Sequence, residues 1–591
     1  MRTVAHNGMG LRVALGAGAV LWLVLAFASA WKKSIVIDEA PHIGCGLAIL
    51  AHGDYRMNPE HPPLMKVLAA LPVYLFDRPD MRVQWTGEDG LGYAVSHWVE
   101  PRQTEWGHYL IFRTEGGGQG RLRLARVMPI LIGLLGGVFA FLWGREWSGT
   151  PWGGAAAAML LLFYPEYLGH ARYVTLDVPT LVACGAISWA AWCWWRRPDG
   201  RRGAAFVLAC AVGSQVKLPV ATFAAVTVFV LFALSFISGG RVRWWKPVVL
   251  GVATLAAGVL AAWAGAGFRF AAVPAGAEVR TPIPYIWQEK PEQHGLEVLI
   301  GFAHRHRLLP EATLATFSHV QSFEARETYF MGRMQKTGSL AYFFVTILLK
   351  TPLVWLAGWG ALLATGALFA ARGRRRATAG WRFQRGVILL VPFLVLFGLT
   401  VLSRVNLGHR HILALYFPLQ VVLGAQAVRW LRKPAAVPFA KDGRRLGAAA
   451  VLAMAPLVAL LAFPHYATYF NAILRTPYGA SPYLGDSNID WGQDLILVRE
   501  ELERRGITEY NLAVFAGCEP AVYGLETSKW LLPGYPFVLG GLQAVPLDRG
   551  LPTVVSMYAL KDAVYYYPEY FSRDPDVLLN SMAIYLPEAG D

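Results

Sequence analysis

Runs of roughly 20 residues without Asp, Glu, Lys or Arg recur along most of this chain, and they limit what it can become. In hydrocarbon the backbone groups of such a run find partners only within a helix. Candidate spans lie at 13–31, 127–144, 147–165, 178–195, 204–216, 218–240, 247–268, 351–371, 386–403, 412–428 and 446–464, about eleven in all. The fifth is short and depends on its neighbours. Charged residues make up 16% of the sequence, against roughly 25% in soluble domains. The fold expected is an all-α polytopic membrane protein with a mixed tail.

The net charge of +15 would suggest nucleic acid in a soluble chain. Here the cations sit in short loops, so no nucleic-acid partner is implied and the positive-inside rule is the better reading. Arg196, Arg197, Arg201 and Arg202 follow the fourth span; Arg241, Arg243 and Lys246 the sixth. Arg372, Arg374, Arg375, Arg376, Arg382 and Arg385 follow the eighth; Arg429, Arg432, Lys433, Lys441, Arg444 and Arg445 the tenth. Even-numbered spans then end in the cytoplasm, with the amino terminus. An odd number of spans puts the carboxyl tail outside, in a multi-pass protein of the bacterial inner membrane. Ala28-Ser29-Ala30 resembles a signal cleavage site, but the preceding run is long for a signal's apolar region. The five cysteines show no metal spacing and no disulfide framework.

This topology divides the chain into a membrane domain over 1–464, with outer loops 32–126 and 269–341, and an outer domain over 465–591. Leu64–Phe76 is too short to span and reads as a helix lying in the interface. In the tail, Asp494–Arg505 reads as a helix and Asn511–Ala516 and Pro552–Tyr558 as strands, which implies a small α/β domain with a modest core of its own.

Ionisable residues at the edges of apolar runs are costly and therefore informative. All of these fall at outer ends. Asp38-Glu39 follows the first span; it reads as a general base held against a low-dielectric wall or as a solvated acidic pair. Glu60-His61-Pro62-Pro63 presents two side chains on a rigid turn, suited to a divalent metal or a phosphate, or simply to starting the interfacial helix. Arg172 and Asp177 share a short outer loop with His170, where Asp177 is a catalytic candidate or a helix cap. Lys217, Lys350, Arg404, His409, Arg410 and His411 are on the side where topology disfavours cations, so an anion such as a lipid phosphate, or snorkelling to headgroups, explains them. Asp486–Asp494, with Trp491, reads as a carbohydrate contact or a helix start.

Taken in order, these segments resemble the GT-C glycosyltransferases, in particular glycosyltransferase family 39 (the protein O-mannosyltransferases) and the related lipid A aminoarabinose transferases. The resemblance rests on Asp38-Glu39, Glu60-His61-Pro62-Pro63-Leu64, Ala171-Arg172 through Asp177, Lys350-Thr351-Pro352, Arg410-His411-Ile412 with Pro418, and Asp486–Leu495. It covers most of the membrane region, and 269–341 carries none of its motifs. It implies an inverting transfer from a polyprenyl-phosphate-linked sugar donor to a hydroxyl on a protein, lipid or glycan, at the outer face among membrane lipids. Asp38 is then the base, with Glu39 and Asp177 beside it as catalytic candidates. Arg172, Lys217, Lys350, Arg410 and His411 hold the donor phosphate. The aminoarabinose branch binds a divalent metal near the equivalents of Glu60 and Asp177, which makes Glu60 and His61 candidate metal ligands. A transporter of lipid-linked or anionic substrates is the alternative, although the chain shows neither inverted repeats nor mid-membrane charges. A third reading is a membrane-anchored scaffold whose tail does the binding.

Overall fold

The computed structural model describes residues 2–79, 103–237, 239–273, 296–322, 327–371, 380–403, 405–432, 438–527, 529–532 and 546–587. Arg404, Arg372, Arg374, Arg375, Arg376 and Lys433 lie outside them. The first half contains α1 (Arg2–Trp31), α2 (Glu39–His52), α3 (Leu64–Phe76), α4 (Gln119–Ser148), α5 (Pro151–Leu162), α6 (Pro165–Ala171), α7 (Asp177–Arg196), α8 (Gly200–Ser214), α9 (Leu218–Ile237) and α10 (Trp245–Gly265). The second contains α11 (Glu311–Ser322), α12 (Tyr342–Lys350), α13 (Leu353–Ala371), α14 (Trp381–Leu402), α15 (Leu413–Arg432) and α16 (Pro438–Leu461), followed by α17 (Leu495–Arg505) and α18 (Met557–Tyr566) in the tail.

Among the described residues eight helices are long and apolar enough to cross a bilayer, or nine if α12 and α13, bent by 116° at Thr351-Pro352, count as one. The eleven expected spans differ from this at two places. The run 147–165 becomes the 12-residue α5, and 204–216 the 15-residue α8. At 1.5 Å per residue they reach about 18 and 22 Å, less than the roughly 30 Å hydrocarbon core.

Contacts at their ends nevertheless place both helices between the same two levels of the bundle. At one level Glu146 Oε2 accepts from Arg196 Nη1 at 3.0 Å, the Glu146 carbonyl accepts from Arg385 Nη1 at 2.6 Å, and the Trp147 carbonyl accepts from Arg429 Nη2 at 2.5 Å. At the other, Asp177 meets Lys217 and Arg410. Helix α5 leaves the first level and is continued by α6 after a break at Phe163-Tyr164, where Pro165 has no N–H to carry the ladder on. Helix α8 starts just after Arg196 and ends just before Lys217. Small residues along α5 let it lie buried between α4 and α15.

In the tail, β1 (Asn511–Ala513), β2 (Thr553–Ser556), β3 (Val577–Leu579) and β4 (Met582–Tyr585) form a sheet ordered β1-β2-β4-β3. Strands β1 and β2 are parallel and the other pairs antiparallel, with Leu512 opposite Val554 and Val554 opposite Ile584. The expected strands appear in shortened form, because the end of the second turns into α18. The tail does not keep its core to itself. Leu495, Val498, Leu512, Val554 and Ile584 share one apolar cluster with Ile43 and Leu47 of α2 and with Leu110, Ile111 and Leu122. Gly517 allows one close approach: a Cβ there would come within 2.7 Å of the Val36 backbone. The sheet is thus seated on the segment that leads into Asp38.

Candidate active site

Four ionised side chains meet where the elements above converge. Asp38 follows α1, Asp177 opens α7, Lys217 sits in the turn from α8 to α9, and Arg410 lies in the 3₁₀ turn His409–Ile412 that precedes α15. Arg410 Nη1 donates to Asp38 Oδ2 at 2.6 Å and lies 3.5 Å from Asp177 Oδ2. Lys217 Nζ donates to Asp177 Oδ1 at 2.9 Å. The four line a cavity of about 1220 Å³ together with His42, Glu60, His61 and His411. Its remaining wall includes Leu218, Pro219 and Ala221 of α9 and Leu396 and Leu399 of α14. One mouth therefore holds charge and an apolar flank. Asp38 is the accessible carboxylate, with 29% of its side chain exposed against 3% for Asp177.

Burial by itself would raise the Asp38 pKa. Arg410, His42 and the hydrogen bond from Arg410 outweigh it and hold the carboxyl below the usual range. Burial pushes the imidazoles of His42 and His61 down, so both are neutral near pH 7. His42 Nδ1 lies 2.9 Å from the Val174 carbonyl, which sets its proton on that nitrogen. The two imidazole rings are 5.8 Å apart.

Three of the expected site residues stand apart from the cavity. Glu39 is fully buried: its oxygens accept from Arg126 Nε at 2.8 Å and Nη2 at 2.6 Å, and from the N–H groups of Val36 and Val174 at 3.0 Å. With its lone pairs taken up, it ties α2 to α4 and to the Val174 loop. Arg172 donates to the Pro464 carbonyl at 2.7 Å and packs between the rings of Tyr173 and Tyr466. Lys350 donates to the carbonyls of Ala467 and Asn488 at 2.9 and 2.8 Å and lies 3.0 Å from Glu166 Oε1. An ammonium has three protons, and these contacts use them all. Lys350 has no donor left for a phosphate, and Arg172 is buried against Pro464, Tyr173 and Tyr466, outside the cavity lining.

Glu60 and His61 line the cavity but do not assemble a metal site. Glu60 accepts from Asn58 Nδ2 at 2.5 Å and Gln103 Nε2 at 3.1 Å, and His319 Nε2 is 3.7 Å away. Asp177 is occupied by Lys217 and Arg410. Among the described residues no three His, Cys, Asp or Glu side chains come together as metal ligands. The donor set does not fit the metal that the resemblance implies.

Sequence reasoning missed Arg126, His42 and Ser487, whose Oγ accepts from Arg410 Nε at 3.2 Å. Arg126 immediately precedes an apolar run, which is the same signal that picked out Lys217. His42 was visible one helical turn after Asp38, a spacing that places both on one face. Ser487 carries no signal of its own, since a lone hydroxyl is common everywhere.

No protein-family model matches this chain, and no curated protein matches it by sequence. Among solved structures it is similar to ArnT from Cupriavidus metallidurans bound to undecaprenyl phosphate, at 15% identity over 98% of this chain and 98% of that one, with a TM-score of 0.45. It is also similar to ArnT from Cupriavidus metallidurans in the apo state, at 18% identity over 85% of this chain and 73% of that one, with a TM-score of 0.43.

Proposed function

We propose that this multi-pass membrane protein is an inverting glycosyltransferase of the GT-C type, moving a sugar from a polyprenyl-phosphate donor to a hydroxyl acceptor at the periplasmic face. The observation that carries the reading is Arg410 held between Asp38 and Asp177, with Lys217 beside them, in a large cavity that has an apolar flank. Phosphate needs the cations, and an isoprenoid chain needs the flank. A second cavity of about 450 Å³, walled by α9 and α10, shares His61, Leu218 and Phe317 with the first and suits the lipid chain.

The chemistry is a single displacement. The acceptor oxygen bonds to the anomeric carbon as the bond from that carbon to the phosphate oxygen breaks. The acceptor proton passes to Asp38. The electron pair leaves with the polyprenyl phosphate, whose growing charge Arg410 and Lys217 offset. Inversion follows from a single attack opposite the leaving group. His411 lines the same wall and stands as a further phosphate contact.

The experiment is transfer by purified protein from a series of polyprenyl-phosphate sugars to candidate hydroxyl acceptors, read by mass analysis of both products. Release of polyprenyl phosphate with the sugar found on the acceptor, and its anomeric configuration inverted, is the expected outcome. Translocation of the intact donor without bond cleavage would support a transporter instead. The lining residues of the charged cavity belong to one end of the bundle, which favours the transferase.

A further inference from the structure

The tail segment 486–491 is built against the turn that carries Arg410. Ser487 Oγ donates to the Leu407 carbonyl at 2.7 Å and accepts from Arg410 Nε at 3.2 Å. The His409 N–H donates to Asn488 Oδ1 at 2.9 Å. Asn488 is itself fixed, its Nδ2 donating to the Tyr342 hydroxyl at 2.7 Å and the Gly485 carbonyl at 3.0 Å. The guanidinium of Arg410 lies 4.2 Å from the centre of the Trp491 ring. Trp491 is buried, edge-on to Tyr173 and tilted against His170. A side chain on Gly408 would collide with Ser487 Oγ, so the two segments meet without room to spare.

These contacts divide the edges of the guanidinium. Nε is tied to Ser487. Nη1 is given to Asp38 and lies near Asp177. Nη2 makes no hydrogen bond to any described residue. An unrestrained arginine beside two carboxylates would turn to form a two-pronged pair with one of them. A guanidinium stacked on an indole and held at Nε has lost that freedom, and the ordering cost is met before a ligand arrives.

We propose that Ser487 and Trp491 are positioning residues for the donor phosphate: they hold the Arg410 guanidinium so that its Nη2 edge is presented to the cavity, which makes the carboxyl-terminal tail part of the donor site. This rests on the reading of Arg410 as a phosphate ligand given above.

The test is titration of labelled undecaprenyl phosphate into the detergent-solubilised full chain. Ser487→Ala and Trp491→Leu each weaken binding about tenfold, the factor that corresponds to 1.4 kcal/mol. Trp491→Phe keeps an aromatic face and recovers most of that loss. The readout that a merely structural role would not move is the double variant: Trp491→Leu combined with Arg410→Ala binds no more weakly than Arg410→Ala alone. Losses that multiply in the double variant overturn the proposal, as does wild-type affinity in both Ser487→Ala and Trp491→Leu. If Trp491→Leu does not fold, Ser487→Ala alone and paired with Arg410→Ala decides the matter. Wild-type affinity in Arg410→Ala defeats instead the reading of Arg410 on which the proposal stands.

Discussion

Replacing Asp38 by Asn should separate chemistry from binding. Asn has nearly the same shape, and its carbonyl oxygen still accepts from Arg410 Nη1 where the carboxylate does now, at 2.6 Å. Arg410 also keeps Asp177, 3.5 Å away, and Ser487 at Nε. The ion pair that is lost has one partner 29% exposed, so solvent screening holds its stability cost to about 1 kcal/mol. What Asn cannot do is accept the acceptor's proton. A positioned base contributes about 10²- to 10⁴-fold, or roughly 3–5 kcal/mol of barrier at 1.36 kcal/mol per tenfold. The expected result is a fall in kcat of that size, with donor affinity within about threefold of wild type, because only a charge-assisted hydrogen bond has been reduced to a neutral one. The assay is steady-state transfer alongside equilibrium binding of undecaprenyl phosphate. The pH profile is a second check. Arg410 holds Asp38 below the ordinary carboxylate range, so the base form persists on acidification until pH falls below about 4. The acidic limb of the wild-type profile is expected there. Turnover unchanged in Asp38→Asn, or a loss explained wholly by weaker donor binding, would refute the assignment of the base.

Glu39→Gln disrupts a buried charge pair and should cost about 3–5 kcal/mol, seen as a lower thermal midpoint and yield in detergent; wild-type stability would show that the Arg126 knot is unimportant. Lys350→Ala lowers the folded yield, while the folded fraction binds undecaprenyl phosphate with wild-type affinity; weakened binding by a well-folded sample would return Lys350 to the phosphate site. Burial pushes the Asp490 carboxyl up to about 7. Between about pH 4 and 7 the folded state then holds a proton that the unfolded chain has released, so its contribution to stability is greatest below pH 4 and is lost as pH rises through 7. Asp490→Asn should remove that slope, and thermal midpoints across pH 4–8 that run parallel to wild type would rule the effect out.

Apolar runs marked nearly every long helix, since hydrocarbon demands length and apolarity in the sequence itself. The helix Leu64–Phe76 and the tail helix ending at Arg505 were equally legible, from an apolar run too short to span in one case and from periodicity in the other. The acidic and basic candidates at the ends of those runs were found the same way, because a charge beside an apolar run is visible without coordinates. Two shorter segments, α5 and α8, escaped the length rule: their contacts, rather than their own apolar reach, place them between the two ends of the bundle.

The sequence by itself determined that the chain must be helical in a membrane and that its unusual charges gather at one end. Only the tertiary structure decided which of those charges are available. Asp38 and Glu39 are adjacent in the chain, yet one faces the cavity and the other is enclosed by Arg126 and two backbone N–H groups. Lys217 and Lys350 look alike in sequence, yet Lys350 spends its protons on Glu166 and two carbonyls while Lys217 reaches the cavity wall. The physical reason is that a buried charge must be paired. The partners come from distant parts of the chain, and which ones arrive is settled by the packing of the helices.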